Sequence, residues 1–501
     1  MNKKYFITYD FGSGSVKAVI SDRSYKIFGI QNVPYKTYFP QIGWATQKPH
    51  ELTSAMAMAT KGLLDSAGVE KNDILGIAIA QTATIVIFVD QAGNPISDAV
   101  IWMDGRAQRQ AEKINDKLGV EKFNGKNVIA KLLWFLEKEP MIVSKASYML
   151  DLSSFFFLTL TRELAYEFTG ARSTCLIDIE NRSWDEKMFD LIKFPRKMVP
   201  DRIVASTEIV GKISPEGSSI IGLQAGTPVF GGCSDHAAAV LGSGCIRSGD
   251  AHIYIGTSAW LAVTTPDEGA FCGFMPSPVP KSKYHFYNID SGGECIDYLI
   301  RTYYKSEMYK DANIYNLLED EIKNAENENG ENILFLPFLT GASSPISEIT
   351  MRATLINIKN YSTRKQISRA VIEGVCMNLR WMKEIHSQDN GWDINFLRGI
   401  GGGLQSEIFA QILADVMGDP FTILENIRYA GNLGLSACID VGLGLAKDFT
   451  VLDRVVRDKK TFYPNPDKER KYARLYDIFR EAFENLKNVY RRLNVELLER
   501  I

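Results

Sequence analysis

Five residues near the start of the chain could hold a phosphate group. Gly12, Ser13, Gly14, Ser15 and Lys17 fall within the stretch YDFGSGSVKAVI, just after Asp10. Glycine lets backbone approach an anion, successive N–H groups form an anion-binding concavity, and lysine adds positive charge. A phosphate loop of the usual kind runs from a strand through glycines into a helix. Here Ser15-Val16-Lys17-Ala18-Val19-Ile20 alternates polar and apolar residues and ends β-branched, which predicts a second strand. The pattern recurs loosely in GDAHIYIGTSAWLAVTT, where Gly256, Thr257 and Ser258 join two strand-like runs. A tight glycine turn also serves a plain hairpin, so either copy alone leaves both readings open. Taken together, two hairpin turns on two lobes could clamp one polyphosphate from opposite sides.

Three further stretches carry chemistry. In LRGIGGGLQSEIFAQILADVMGD, an apolar approach meets Gly401, Gly402 and Gly403, with Ser406 as a helix N-cap. Phe409, Ile412, Leu413 and Val416 then share a helical face, and Gly418 ends it. Such a turn suits a nucleotide's sugar or phosphate, or is simply a tight strand-to-helix connection. In PVFGGCSDHAAAVLGSG, Asp235 sits at or near the start of an alanine-rich helix, with His236 beside it. It is either a cap or a general base for a substrate hydroxyl. In AVIWMDGRAQRQ, Trp102, Asp104 and Arg106 would make a polyol pocket, or else a partly buried indole beside an exposed ion pair.

The elements that must position these residues follow an α/β pattern. ILGIAIAQTATIVIFVD predicts two buried strands broken at Gln81-Thr82-Ala83-Thr84. Ser362 or Thr363 can cap a helix whose buried face includes Ile367, Val371, Val375, Leu379 and Met382. A long helix from Asp467 carries Tyr472, Leu475, Tyr476, Phe479 and Phe483 on one stripe. LGSGCIRSGD, before the second hairpin, suits a linker, and the polar run Lys323 to Asn332 a loop or a frayed helix end. The expected domains are 1–246 and 247–501.

Composition narrows the function classes. The chain has 501 residues, a net charge of −3, 45% hydrophobic and 23% charged residues. No basic face for nucleic acid is implied. No apolar run reaches the length of a membrane span or the form of a signal peptide. Seven cysteines without a CxxC pair fit reduced thiols in the cytoplasm, and five dispersed histidines form no HExxH zinc site.

With these motifs in hand, the chain resembles the FGGY carbohydrate kinases over nearly its whole length, and within them the xylulokinase-type members. The resemblance rests on DFGSGSVKAV, GWATQKPHEL, the Gly76-to-Ala107 stretch, KLLWFLEKEP, GGCSDHAAAVLGSG, GDAHIYIGTSAW, LFLPFLTGASSP, AVIEGVCMNLR and GIGGGLQSEIFAQILADVMGDP. It implies two ribonuclease-H-like domains of the actin, hexokinase and Hsp70 type, with ATP and Mg²⁺ in the cleft between them. It implies phosphorylation of a sugar hydroxyl, with D-xylulose as the first choice of acceptor. Asp10 would hold Mg²⁺ through water. Gly12, Ser13, Gly14, Ser15 and Lys17 would form the first phosphate loop and Gly256, Thr257 and Ser258 the second. Gly293, Gly402, Gly403 and Ser406 match adenosine contacts, and Asp235 matches the catalytic base. Gln81, Thr82, Ala83 and Trp102 fall where sugar contacts occur, with Asp104 and His236 beside them. Members are often dimers, although no stretch here marks an interface.

Three departures bear on the acceptor. Xylulokinases usually carry Met-His-Gly where this chain has Thr82-Ala83-Thr84, and Asn where it has His236. A GERTP-like stretch is replaced by Gly341-Ala342-Ser343-Ser344-Pro345. The first two leave the sugar open, with ribulose, glycerol, gluconate and other ketoses as alternatives, or a non-catalytic sensor of the same fold. None of them touches the phosphate loops or Asp235.

Overall fold

The computed structural model describes residues 4–120, 122–266, 274–308, 314–325, 332–390 and 393–494. Strands Tyr5–Phe11, Ser15–Asp22 and Ile27–Pro34 form an antiparallel meander, with Asp10 opposite Lys17 at its first turn. Strand Ile74–Gln81 runs parallel to Tyr5–Phe11 on its other side. Pro228–Phe230 lies beyond, edged by Ile209–Lys212. Phe6, Ile7, Thr8 and Tyr9 are wholly buried, because helices cover both faces of a central strand and make its sequence a near-continuous apolar run. The edge strand Ile27–Pro34 instead alternates half-buried with exposed residues and ends on a proline that cannot donate to a further strand.

The second sheet repeats this order. Ser282–Ile289, Ala259–Pro266 and Asp250–Ile255 are antiparallel neighbours, Phe396–Ile400 is parallel to Asp250–Ile255, and Phe421–Leu424 follows, edged by Asp458–Phe462. Two α/β lobes of one topology result, each with its glycine turn between the first two strands. Helix boundaries follow local signals. Ser406 caps Glu407–Met417 by accepting a bond from the Phe409 N–H, and Gly418 ends it at φ 72°. Thr363 precedes helix Arg364–Asn390 and exchanges cap bonds with Gln366. Helix Glu469–Leu493 buries the predicted aromatic and leucine stripe.

The lobes meet at two crossing helices, Asp235–Gly242 and Ala430–Gly442. Their contact is as close as backbone allows. A Cβ on Gly242 would lie 1.7 Å from the Ala430 carbonyl, and one on Gly434 2.4 Å from that of Ala238. The alanine- and glycine-rich sequences are therefore packing requirements. Helix Ala430–Gly442 lies in sequence between strands Phe421–Leu424 and Asp458–Phe462 of the second sheet but packs on the first. Asn432 Nδ2 donates to the Thr8 and Lys17 carbonyls, both at 3.1 Å, and Tyr25 Oη donates to Asp440 at 3.0 Å.

One expectation changes here. The stretch read as a linker is packed: Cys245 is fully buried, and Arg247 donates its N–H to Asp250 and pairs its guanidinium with Asp453. Of the polar run 323–332, residues 323–325 close helix Ile314–Ala325, and 326–331 lie outside the described residues. Among the described residues, no helix is long and apolar enough to cross a membrane.

Candidate active site

Both hairpin turns turn their carbonyls inward. In the first, Tyr35 Oη donates to the Gly12 carbonyl, Thr37 Oγ1 and Gln47 Nε2 donate to that of Ser13 at 2.8 Å, and Tyr35 N–H donates to Gly14 at 3.0 Å. Among the described residues, the N–H groups of Ser13 and Gly14 have no acceptor. In the second turn, Gly256 N–H bonds the Ser258 carbonyl and Glu294 N–H that of Thr257, leaving the Thr257 and Ser258 N–H groups unbonded. The hydroxyls of Ser15, Thr257 and Ser258 likewise have no partner among the described residues. A Cβ at Gly14 or Gly402 would meet nothing within 4 Å, so both glycines face open space. Donors without acceptors around open space fit an anion. Gly293 plays a different part: a Cβ there would lie 1.9 Å from the Gly256 carbonyl, so a bare backbone is what lets it pack against the second turn.

Between the turns lie two carboxylates and a cation. Lys17 Nζ is 3.5 Å from Asp10 Oδ2, and the Asp10 charge holds the ammonium well above its ordinary range against the opposing effect of burial. Asp235 is the first residue of its helix, and the N–H of His236 donates to its Oδ1 at 2.9 Å. Burial, and then the charge of Asp10, push the Asp235 carboxyl up to about 7 from 3.8, with the His236 N–H and Lys17 opposing. A carboxyl poised near neutrality is suited to accept a proton at pH 7. A Cβ on Gly431 would lie 3.6 Å from Asp10 Oδ2, so the start of helix Ala430–Gly442 adjoins that carboxylate. Upstream, the Ser234 N–H donates to Thr169 Oγ1 at 2.8 Å, which anchors the turn that presents Asp235.

The expected acceptor contacts divide. Trp102 Nε1 donates to Ser13 Oγ at 3.1 Å and so joins its segment to the first turn. Thr82 and Ala83 are half-buried just beyond strand Ile74–Gln81. The other three are internal. Gln81 is 1% exposed, its Nε2 donating to Asp151 at 2.6 Å and its Oε1 accepting from Ser153 N–H at 2.8 Å. Asp104 has no exposure; it is paired through both oxygens with Arg106 and accepts from Ala45 N–H, while the guanidinium stacks on Trp44. Of the two readings of this stretch, the ion pair forms, but it is buried rather than exposed, since two tryptophans roof it. His236 is 5% exposed and directed to the other lobe, its Nδ1 2.6 Å from Tyr284 Oη. Burial holds its imidazole down at about 4, hence neutral.

Tyr35 and Thr37, which shape the first turn, and Asn432, which bonds the first sheet, lie in no stretch singled out above and are found only by folding. Gln47 lies in GWATQKPHEL and Lys131 opens KLLWFLEKEP, but only folding shows that the first bonds the Ser13 carbonyl and the second the Thr84 and Ile101 carbonyls.

A duplicated α/β fold with paired glycine turns and a carboxyl raised to about 7 where the lobes meet is the arrangement of a two-lobed phosphotransferase. Residues 5–242 match the N-terminal domain of the FGGY family of carbohydrate kinases, and residues 251–437 its C-terminal domain. The chain belongs to the FGGY family of carbohydrate kinases, phosphotransferases that act on a sugar hydroxyl. It is 26% identical to a xylulose kinase of Lactococcus lactis, with 98% of each chain covered. It is 24% identical to a glycerol kinase of Thermoanaerobacter sp., with 96% of this chain and 98% of that one covered. Among solved structures, a gluconate kinase from Lactobacillus acidophilus superimposes with a TM-score of 0.85 at 21% identity, covering 98% of this chain and 99% of that one.

Proposed function

We propose that this sugar kinase transfers the γ-phosphoryl group of ATP to a hydroxyl of a ketose or polyol, with D-xylulose as the first acceptor to test. The observation that carries the proposal is Asp235, a carboxyl raised to about 7 at the junction of two lobes whose turns present unbonded N–H groups. In this reading the acceptor hydroxyl gives its proton to the Asp235 carboxylate as its oxygen attacks the γ-phosphorus, and the bond to the ADP oxygen breaks. The N–H groups of Ser13, Gly14, Thr257 and Ser258 and the Lys17 ammonium stabilise charge on the phosphoryl oxygens. The base needs only a near-neutral affinity, because the alcohol loses its proton late in a loose transition state.

Mg²⁺ fits the residues present. Among the described residues Asp10 forms one ion pair, with Lys17 at 3.5 Å, and its charge raises Asp235, so a cation beside the two carboxylates would offset their repulsion. No cluster of three metal-ligating side chains exists among the described residues, which fits a metal held mainly by phosphate and water. When bound, it would neutralise charge on the phosphates. Gly402, Gly403 and Ser406 would receive the adenosine beside Gly293, and Thr82, Ala83 and Trp102 the acceptor. We place the lobe division at 246/247 and the protein in the cytoplasm, where ATP and reduced thiols occur together.

The test is ADP release from Mg-ATP with D-xylulose, D- and L-ribulose, L-xylulose, D-fructose, glycerol, gluconate and erythritol. One acceptor that raises turnover well above the background of ATP alone supports the reading. No response from any, with ATP binding confirmed, overturns it in favour of a sensor that binds without turnover. The pocket residues Thr82 and Ala83 make glycerol, gluconate and the other ketoses necessary members of the panel, since kinases for glycerol and gluconate are also among the relatives.

A further inference from the structure

The segment between strand Ile74–Gln81 and the next strand contains a residue in an unfavourable conformation. Thr84 has φ 56°, in the left-handed region, where a β-branched side chain is a true outlier. Such a conformation persists only where the surroundings over-determine it, and these cases gather at functional sites. Here the clamp is visible. The Thr84 carbonyl accepts from Lys131 Nζ at 3.0 Å, and its N–H donates to Ser173 Oγ at 3.3 Å.

Lys131 is itself unusual, with no exposed surface at all. Its second bond, at 2.7 Å, goes to the carbonyl of Ile101, the residue before Trp102. One buried ammonium thus ties the Thr84 segment to the Trp102 segment, the two pieces of backbone that flank the acceptor region. Burying a lysine is costly, and burial pulls this one down to about 7 although Asp104 opposes the fall. A strained threonine held by an expensive lysine is a poor arrangement for a wall of purely structural use, where glycine would take the same backbone without strain.

The side chain shows what the arrangement gains. Thr84 is half-buried, its hydroxyl bonds no protein group, and it is not among the buried polar atoms left without a partner, so it reaches solvent. Both its backbone groups are fixed, so the hydroxyl is presented with little freedom, which favours binding. We propose that Thr84 is a specificity-determining residue, with its Oγ1 hydrogen-bonding a hydroxyl of the acceptor, and that Lys131 and Ser173 act as positioning residues for it. This rests on the kinase reading above.

The experiment compares wild-type protein with T84V, T84S and T84G on the acceptor that wild type turns over. T84V keeps the β-branched shape and loses only the hydroxyl. It should raise the acceptor KM by roughly 3- to 20-fold while the KM for ATP stays as in wild type. T84S should restore the acceptor KM to within about threefold of wild type. T84G should relieve the strain yet share the KM defect of T84V, which separates the hydroxyl from the backbone. An active wild type with T84V unchanged in both KM values overturns this inference alone. If T84V fails to fold, T84G with a wild-type acceptor KM overturns it equally. A wild type that accepts no polyol overturns the kinase reading and this inference with it.

Discussion

Replacing Asp235 by asparagine should make the ligand-free protein less active and more stable at once. The folded carboxyl titrates near 7, whereas an unfolded one titrates near 3.8. Between these values the folded chain keeps a proton that the unfolded chain has lost. Stability is therefore complete below about pH 4, declines as pH rises through the window, and is lowest above about 7. At 1.36 kcal/mol per pH unit the interval is worth about 4 kcal/mol. A quarter of the Asp235 side chain reaches solvent, which screens the charge, so about 1–3 kcal/mol is the working figure. D235N carries no charge and escapes this cost, and its carbonyl oxygen can still accept the His236 N–H. Thermal melts from pH 4 to pH 8.5, without Mg²⁺ or nucleotide, should show D235N melting above wild type at pH 8, with the gap closing towards pH 4. The same variant should lose about 10²- to 10⁴-fold in kcat. A gap that does not change with pH would show that the carboxyl is not raised. An unchanged kcat with an intact fold would remove Asp235 as the base.

Other perturbations test other parts of the site. G293A places a Cβ against the Gly256 carbonyl, so it should displace the second turn, weaken ATP binding at least tenfold by calorimetry, and destabilise the fold by about 1–3 kcal/mol. W102F keeps the apolar wall but removes the bond to Ser13, and should raise the acceptor KM several-fold without changing ATP affinity. Lys131 is lowered to about 7 when folded against 10.5 when unfolded, so between these values the unfolded chain holds more protons. Wild-type stability relative to K131M should therefore rise from pH 7 to pH 10 in paired denaturation curves, and a flat difference would mean that Lys131 titrates normally.

The parts of this protein legible before folding are those governed by near neighbours along the chain. Alternation around Gly12–Ser15 and Gly256–Ser258 announces both hairpins, because strand side chains repeat every second residue. Ser406, Thr363 and Gly418 announce helix ends through bonds that reach no more than four residues. Residue type also marks Asp10, Lys17 and Asp235 as chemistry. Gln81 and Asp104 show where such reading stops. Gln81 closes a strand and Asp104 follows one, each in the place expected for a sugar contact, yet Gln81 spends its polar atoms on Asp151 and Ser153, and Asp104 on Arg106 and the distant Ala45.

By itself, then, the sequence determined the local elements, the paired glycine turns, the family and the small set of groups able to do phosphoryl chemistry. Tertiary structure decided which of them share a cleft and in what charge state. The Asp235 carboxyl is raised because burial and Asp10, 225 positions away in the chain, act on it together. Helix Ala430–Gly442 crosses to the first sheet because glycines let two helices touch backbone to backbone. Thr84, between two strands, is held in a left-handed conformation by a lysine from helix Val128–Lys138. Desolvation and electrostatic coupling depend on distance in space, and folding alone sets those distances.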